Sequence, residues 1–137
     1  MGAYLRSDTS EVNQQLDEVY QLFPKLRERR HQFASGLSGG ERRMVGIGRG
    51  LMAKCRLLML DEPSLGLAPL VIEQIYEALG KLRAKGIAFL VVEENPSRLL
   101  HFADSLCLMD AGQIVWRGTT GEARASGDIL KTYLGGT

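Results

Sequence analysis

Apolar residues recur at helical spacing from Glu11 onward, at Val12, Leu16, Val19, Tyr20 and Phe23, and predict a surface helix with one face turned inward. Asp8, with Glu11 three positions later, supplies a capping-box start. The helix is predicted to break at Phe23-Pro24, because the residue before a proline is pushed out of helical angles. The basic run from Lys25 to Gln32 that follows reads as solvated surface. A glycine-rich turn, Gly36-Leu37-Ser38-Gly39-Gly40-Glu41, then opens a segment in which Met44, Ile47, Leu51 and Met52 mark one helical face. Gly46, Gly48 and Gly50 lie inside it, and each costs about 0.8–1 kcal/mol relative to alanine, so this helix must lean on tertiary packing.

The pattern changes at Leu57. Four apolar residues, Leu57-Leu58-Met59-Leu60, run into Asp61-Glu62-Pro63, a short strand ended by two acids and a chain reversal. With no polar alternation, the strand is predicted to be buried on both faces, as in a parallel sheet covered by helices. A helix through Val71, Ile72, Ile75, Leu79 and Leu82 ends near Gly86, and an apolar strand from Ile87 to Val92 follows, which makes a βαβ unit. A second acidic strand end, Glu93-Glu94-Asn95, precedes Pro96 at the first turn of a short helix through Leu99, Leu100 and Phe102. The runs Ser105–Met109 and Ile114–Trp116 flank Asp110-Ala111-Gly112-Gln113, a hairpin signal. The tail from Thr119 holds two short helical candidates, the second around Ile129–Leu134.

Composition narrows the function classes. The chain has 137 residues, 45% of them hydrophobic, and a formal net charge of +1, the profile of one globular domain. Near-neutral charge argues against nucleic acid and anionic membranes as partners, since those affinities come from uncompensated Lys and Arg. No apolar run approaches the ~20 residues that cross a bilayer, so no direct membrane insertion is expected and the expected location is the cytoplasm. Cys55 and Cys107 show no CxxC spacing and read as reduced structural residues. Gly2 is not a myristoylation site, because Arg6 stands where that motif has Ser or Thr. Trp116 reads as packing on the hairpin, and His101 has no second ligand at helical spacing.

Two places carry candidate chemistry. Ligands of parallel α/β sheets bind beyond the carboxyl ends of the strands, so Asp61 and Glu62 stand where two acids hold a hydrated Mg²⁺ and orient an attacking water. The same pattern also fits an acidic strand end that caps the next helix. Ser38-Gly39-Gly40 at a helix start supplies backbone N–H groups, a hydroxyl and the positive end of the helix dipole, which suit a phosphate. By itself it fits equally a glycine turn with a serine cap.

Taken together, Leu37-Ser38-Gly39-Gly40-Glu41 and Leu57-Leu58-Met59-Leu60-Asp61-Glu62-Pro63 resemble the ATP-binding subunits of ABC transporters. Ser64-Leu65-Gly66-Leu67-Ala68-Pro69, Val92-Glu93-Glu94-Asn95 and Tyr133-Leu134-Gly135 look like the branched-chain amino-acid uptake branch. The resemblance implies an α/β fold: part of a RecA-like P-loop NTPase, a parallel sheet with flanking helices, plus a helical signature subdomain and a C-terminal hairpin with short helices. It divides the chain into a signature subdomain, 1–55, and the C-terminal part of the catalytic core with its hairpin and tail, 56–137.

The implied cofactors are ATP and Mg²⁺. Ser38, Gly39, Gly40 and Glu41 match the signature, which contacts the γ-phosphate of ATP held by the opposite subunit of a nucleotide-sandwich dimer. Asp61 matches the acid that positions Mg²⁺, and Glu62 the general base for the attacking water. Glu94 matches the catalytic switch position, where most of the family has histidine; a carboxylate there meets phosphate charge with like charge. Ala68 stands where many members have an aspartate that contacts the partner subunit.

The 137 residues contain no G-x-x-x-x-G-K followed by Ser or Thr, the loop that cradles the β- and γ-phosphates. What they match is therefore the second half of a nucleotide-binding domain, lacking the phosphate-loop half, and little hydrolysis is expected of the chain alone. Its expected partners are a supplied N-terminal half, the membrane subunits of a transporter, and other copies of itself filling the gap in the sheet. The alternative is a non-enzymatic remnant or interaction module that self-associates through that incomplete sheet. A third reading is a longer protein cut at an internal methionine.

Overall fold

Asp8 caps the first helix as its position predicts, its carboxylate accepting the Glu11 N–H at 3.0 Å at the start of α1 (Thr9–Leu22). Glu11 does not return the bond to the cap. Its own carboxylate pairs with Arg6 and Lys54 and is held below the usual carboxylate range, chiefly by Lys54. The computed structural model describes residues 2–126, which form two compact units divided after Val92. The second tail helix expected around Ile129–Leu134 lies outside the described residues.

In the first unit α1 stops at Phe23, which is buried, and Pro24 opens another short helix, α2 (Pro24–Glu28). The run from Lys25 is thus only partly solvated surface: proline suits the first helical position, and the resulting turn buries Leu26. A 3₁₀ turn (Ala34–Gly36) leads to α3 (Gly39–Met52), which buries Met44, Ile47 and Leu51.

The glycines of α3 show what it leans on. A Cβ at Gly48 would stand 2.9 Å from Val19 Cγ1 of α1, and one at Gly50 would stand 2.6 Å from Leu58 Cδ1. One at Gly40 would meet Val71 Cγ1 at 2.5 Å, whereas Gly46 faces open space. Three of its glycines therefore let neighbours approach closer than any side chain allows, which is the tertiary packing the weak helix needs.

The βαβ unit forms as expected. Strand β1 (Leu57–Asp61), helix α4 (Pro69–Ala84) and strand β2 (Ala88–Val92) follow in order, with the strands parallel and Leu57 opposite Ala88 through Asp61 opposite Val92. Gly86, at φ +88°, ends the helical segment, its N–H bonding to the carbonyl of Arg83 and that of Ile87 to Leu82. Ile75, Leu79 and Leu82 of α4 are buried in the core. The expectation of burial on both faces is corrected. Leu58 is 8% exposed while Met59 is 69% exposed, and Leu57, Leu90 and Val92 lie open with Met59. Among the described residues, helices cover the sheet on the Leu58 side only.

In the second unit Asn95 caps a helix over Pro96–His101 that is 3₁₀ rather than α, accepting the Ser97 N–H at 3.0 Å. An antiparallel hairpin follows, β3 (Ser105–Asp110) and β4 (Gln113–Thr119), the latter longer than predicted. Ala111 and Gly112 turn it with φ of +47° and +79°, the two left-handed residues of a tight hairpin. Trp116 lies over Gly118, where a Cβ would be 2.6 Å from its ring. Helix α5 (Thr120–Ala125) starts with a reciprocal capping box between Thr119 and Glu122.

Candidate functional site

The turn into α3 is built by residues three apart. Ser38 Oγ accepts the Glu41 N–H at 3.2 Å, and the Ser38 N–H donates to Glu41 Oε2 at 2.7 Å. That returned bond, more than any other contact, holds the Glu41 carboxyl below the usual carboxylate range. Arg29 at the end of α2 also reaches Glu41, at 3.7 Å, and Arg42 donates to the Leu37 carbonyl at 2.6 Å. Ser38 and Gly39 are exposed and Gly40 is buried against α4. The amides of Gly39 and Gly40 have no carbonyl a turn earlier within the helix, while the Ser38 hydroxyl is engaged with the Glu41 carboxyl. Such an end suits an anion.

At the other place, Asp61 is the last residue of β1 and is exposed, and Glu62 follows at φ +45°. A left-handed glutamate is uncommon, because its Cβ crowds the carbonyl. The Glu62 N–H donates to the Val92 carbonyl at 2.9 Å, continuing the β1–β2 ladder one step past the last pair, and the chain then reverses through buried Pro63 and Ser64. Arg43, from the second turn of α3, donates to the Asp61 carbonyl at 3.4 Å. The structure thus brings Ser38, Gly39, Gly40 and Glu41 together at one helix start and Asp61 with Glu62 at one strand end, with Arg43 reaching from the first element to the second.

Glu94 belongs to the second unit and is exposed. Its neighbour Glu93 is the acid turned inward, with a fully covered side chain that pairs with Arg98 at 3.6 Å. The sequence held a signal for this: the alternation of β2, open at Leu90 and Val92, puts Glu93 on the covered side when it is carried one step further. Arg43 left no such signal, because its contact joins residues eighteen apart.

The comparisons with known proteins agree among themselves. A family model described as ABC transporter matches residues 4–65. The chain is 43% identical over 136 residues to the high-affinity branched-chain amino acid transport ATP-binding protein BraG of Pseudomonas aeruginosa, covering 99% of this chain and 58% of that protein. It is 37% identical over 129 residues to the probable branched-chain amino acid transport ATP-binding protein LivF of Archaeoglobus fulgidus, covering 93% and 55%. A solved ATP-binding cassette of an ABC transporter, in its ADP conformation, superposes with a TM-score of 0.75 at 30% identity, over 92% of this chain and 51% of that one. The chain spans about half the length of the relatives it matches.

Proposed function

The chain belongs to the ABC transporter ATP-binding family, and from that premise we propose that it supplies the signature and the acids of an ATPase that drives uptake of branched-chain amino acids. The observation that carries this reading is the Asp61–Glu62 turn: two acids beyond the carboxyl end of a parallel strand, the second held in a backbone conformation that costs energy. Ser38, Gly39 and Gly40 form the helix start that meets the γ-phosphate of a nucleotide on the opposite subunit, the glycine amides supplying donors, and Glu41 fixes the Ser38 cap.

Mg²⁺ takes hard oxygen donors and keeps several waters, binding through one or two carboxylates plus phosphates. The exposed Asp61 carboxylate fits that demand. Asp61 would hold the ion, which would supply charge neutralisation at the phosphates. Glu62 takes the proton of the attacking water. Glu94 stands at the switch position, where its charge opposes phosphate, so Glu62 is the decisive acid.

In this reading residues 1–55 act as the signature subdomain and 56–137 as the C-terminal part of the core. Hydrolysis needs a phosphate-binding loop that is not among these residues, and the working assembly is a dimer beneath transporter membrane subunits on the cytoplasmic face. No helix among the described residues is long and apolar enough to cross a membrane. The test is ATP turnover of the chain mixed with a polypeptide carrying the phosphate-loop half. Turnover is expected in the mixture and not in the chain alone, with a loss of at least about a hundredfold in Glu62→Gln. A silent mixture, or a Glu62→Gln variant as active as wild type, overturns it.

One observation favours a second reading. The open row of Leu57, Met59, Leu90 and Val92 suits a chain that self-associates through its sheet without acting on nucleotide. Light scattering distinguishes the two: concentration-dependent oligomers that Met59→Lys with Leu90→Lys disperses, together with no calorimetric response to Mg·ATP in the mixture, select this reading.

A further inference from the structure

We propose that Arg43 is a positioning residue that sets the Asp61–Glu62 peptide, and through it the Glu62 carboxylate; its catalytic consequence rests on the ATPase reading above. The carbonyl of Asp61 and the N–H of Glu62 belong to one rigid peptide plane. That plane is held at both ends. Its N–H donates to the Val92 carbonyl at 2.9 Å, and its carbonyl accepts from Arg43 Nη1 at 3.4 Å. The residue that follows is the left-handed Glu62.

Such a backbone persists only where surrounding contacts over-determine it. The ladder bond to Val92 holds one edge of the plane, and the bond from Arg43, which comes from another element, holds the opposite edge, so that rotating the plane about the strand axis strains both. Helix α3 is a firm base for it, since its cap is locked by Ser38 and Glu41 and its first turn by the Arg42 bond to Leu37. Of the three consecutive charged residues Glu41, Arg42 and Arg43, the first two bind the turn that precedes them, and Arg43 reaches forward eighteen residues.

The consequence is a direct mechanical link between the signature and the general base of the same chain. A phosphate that draws on the Ser38–Gly40 end acts on α3 as a body, and α3 acts on the Glu62 backbone through Arg43. Such a link lets each chain orient its base according to whether its signature is engaged.

The test has two readouts. In the 137-residue chain, NMR hydrogen exchange at the Glu62 amide is expected to quicken about tenfold in Arg43→Ala, the weight of one hydrogen bond to a charged donor. The Glu41 amide, held by Ser38, should not change, and Arg43→Lys, which keeps a charged donor, should return Glu62 to within about twofold of wild type. In the assembly with the phosphate-loop half, Arg43→Ala is expected to lower kcat about tenfold with KM for Mg·ATP within about twofold, since a misplaced base acts on the chemical step. A Glu62 amide indifferent to Arg43→Ala overturns the proposal, as does a rise in KM with kcat unchanged. Failure of the ATPase reading looks different: the wild-type assembly is itself silent while the Glu62 amide still responds to Arg43→Ala.

Discussion

The two turns that carry the candidate chemistry are held in opposite ways. The Ser38–Glu41 turn closes on itself, each partner bonding the other across three residues. The Asp61–Glu62 turn has one local closure, the Leu65 N–H donating to the Glu62 carbonyl at 3.2 Å, and is otherwise tied to Val92 and Arg43, on another strand and another helix. The difference teaches that a helix start suited to an anion can be written into four consecutive residues, while an acid held in an unfavourable backbone has to be enforced by the assembled fold.

The comparison can be broken first at the packing beneath the local turn. Gly40→Ala drives a Cβ into Val71, and equilibrium urea unfolding is expected to show a loss of about 2 kcal/mol. A neutral result means that the turn's close approach to α4 is not needed. Next comes the strained turn. Glu62→Gly removes the left-handed cost and is expected to raise unfolding free energy by about 1 kcal/mol while abolishing ATP turnover of the assembled protein. A destabilised Glu62→Gly variant breaks the claim that the fold enforces this backbone against its preference.

On the local side, Ser38→Ala removes the cap and is expected to lower stability by about 1 kcal/mol, measured the same way. Gly46→Ala sharpens the contrast from the other direction, because open space at that position predicts a gain of about 0.8 kcal/mol. The smallest effect is in pH. The Glu41 carboxyl is depressed in the folded chain by the Ser38 amide, so its contribution is fully present above the ordinary glutamate range and is lost as the pH falls through the lower folded value. Unfolding measured through that acid window should flatten in Glu41→Gln. Glu122, depressed by the Thr119 amide in the same kind of box, keeps its own share of the slope as an internal control.

The same contrast explains what the sequence disclosed. Asp8, Ser38 and the pair Ala111-Gly112 announce themselves because a cap or a tight turn is decided by neighbours, and the βαβ unit follows from the period of its apolar residues. The left-handed Glu62 and its tether to Arg43 were not legible, since both depend on where a distant helix comes to rest. The open row at Met59 and Leu90 misled for a related reason: an all-apolar strand states that both faces avoid water, not which residues cover them. Pro24 misled differently, since the proline that ends one helix is well shaped to begin another.

Trp116, stacked on Gly118, is the one tryptophan in the 137 residues. Its indole therefore gives the hairpin unit an optical channel of its own, while far-ultraviolet ellipticity is dominated by α1, α3 and α4 of the other. Tryptophan emission, excited at the red edge where tyrosine does not absorb, and circular dichroism, recorded on one sample through one denaturation, follow the two units separately without any label being introduced.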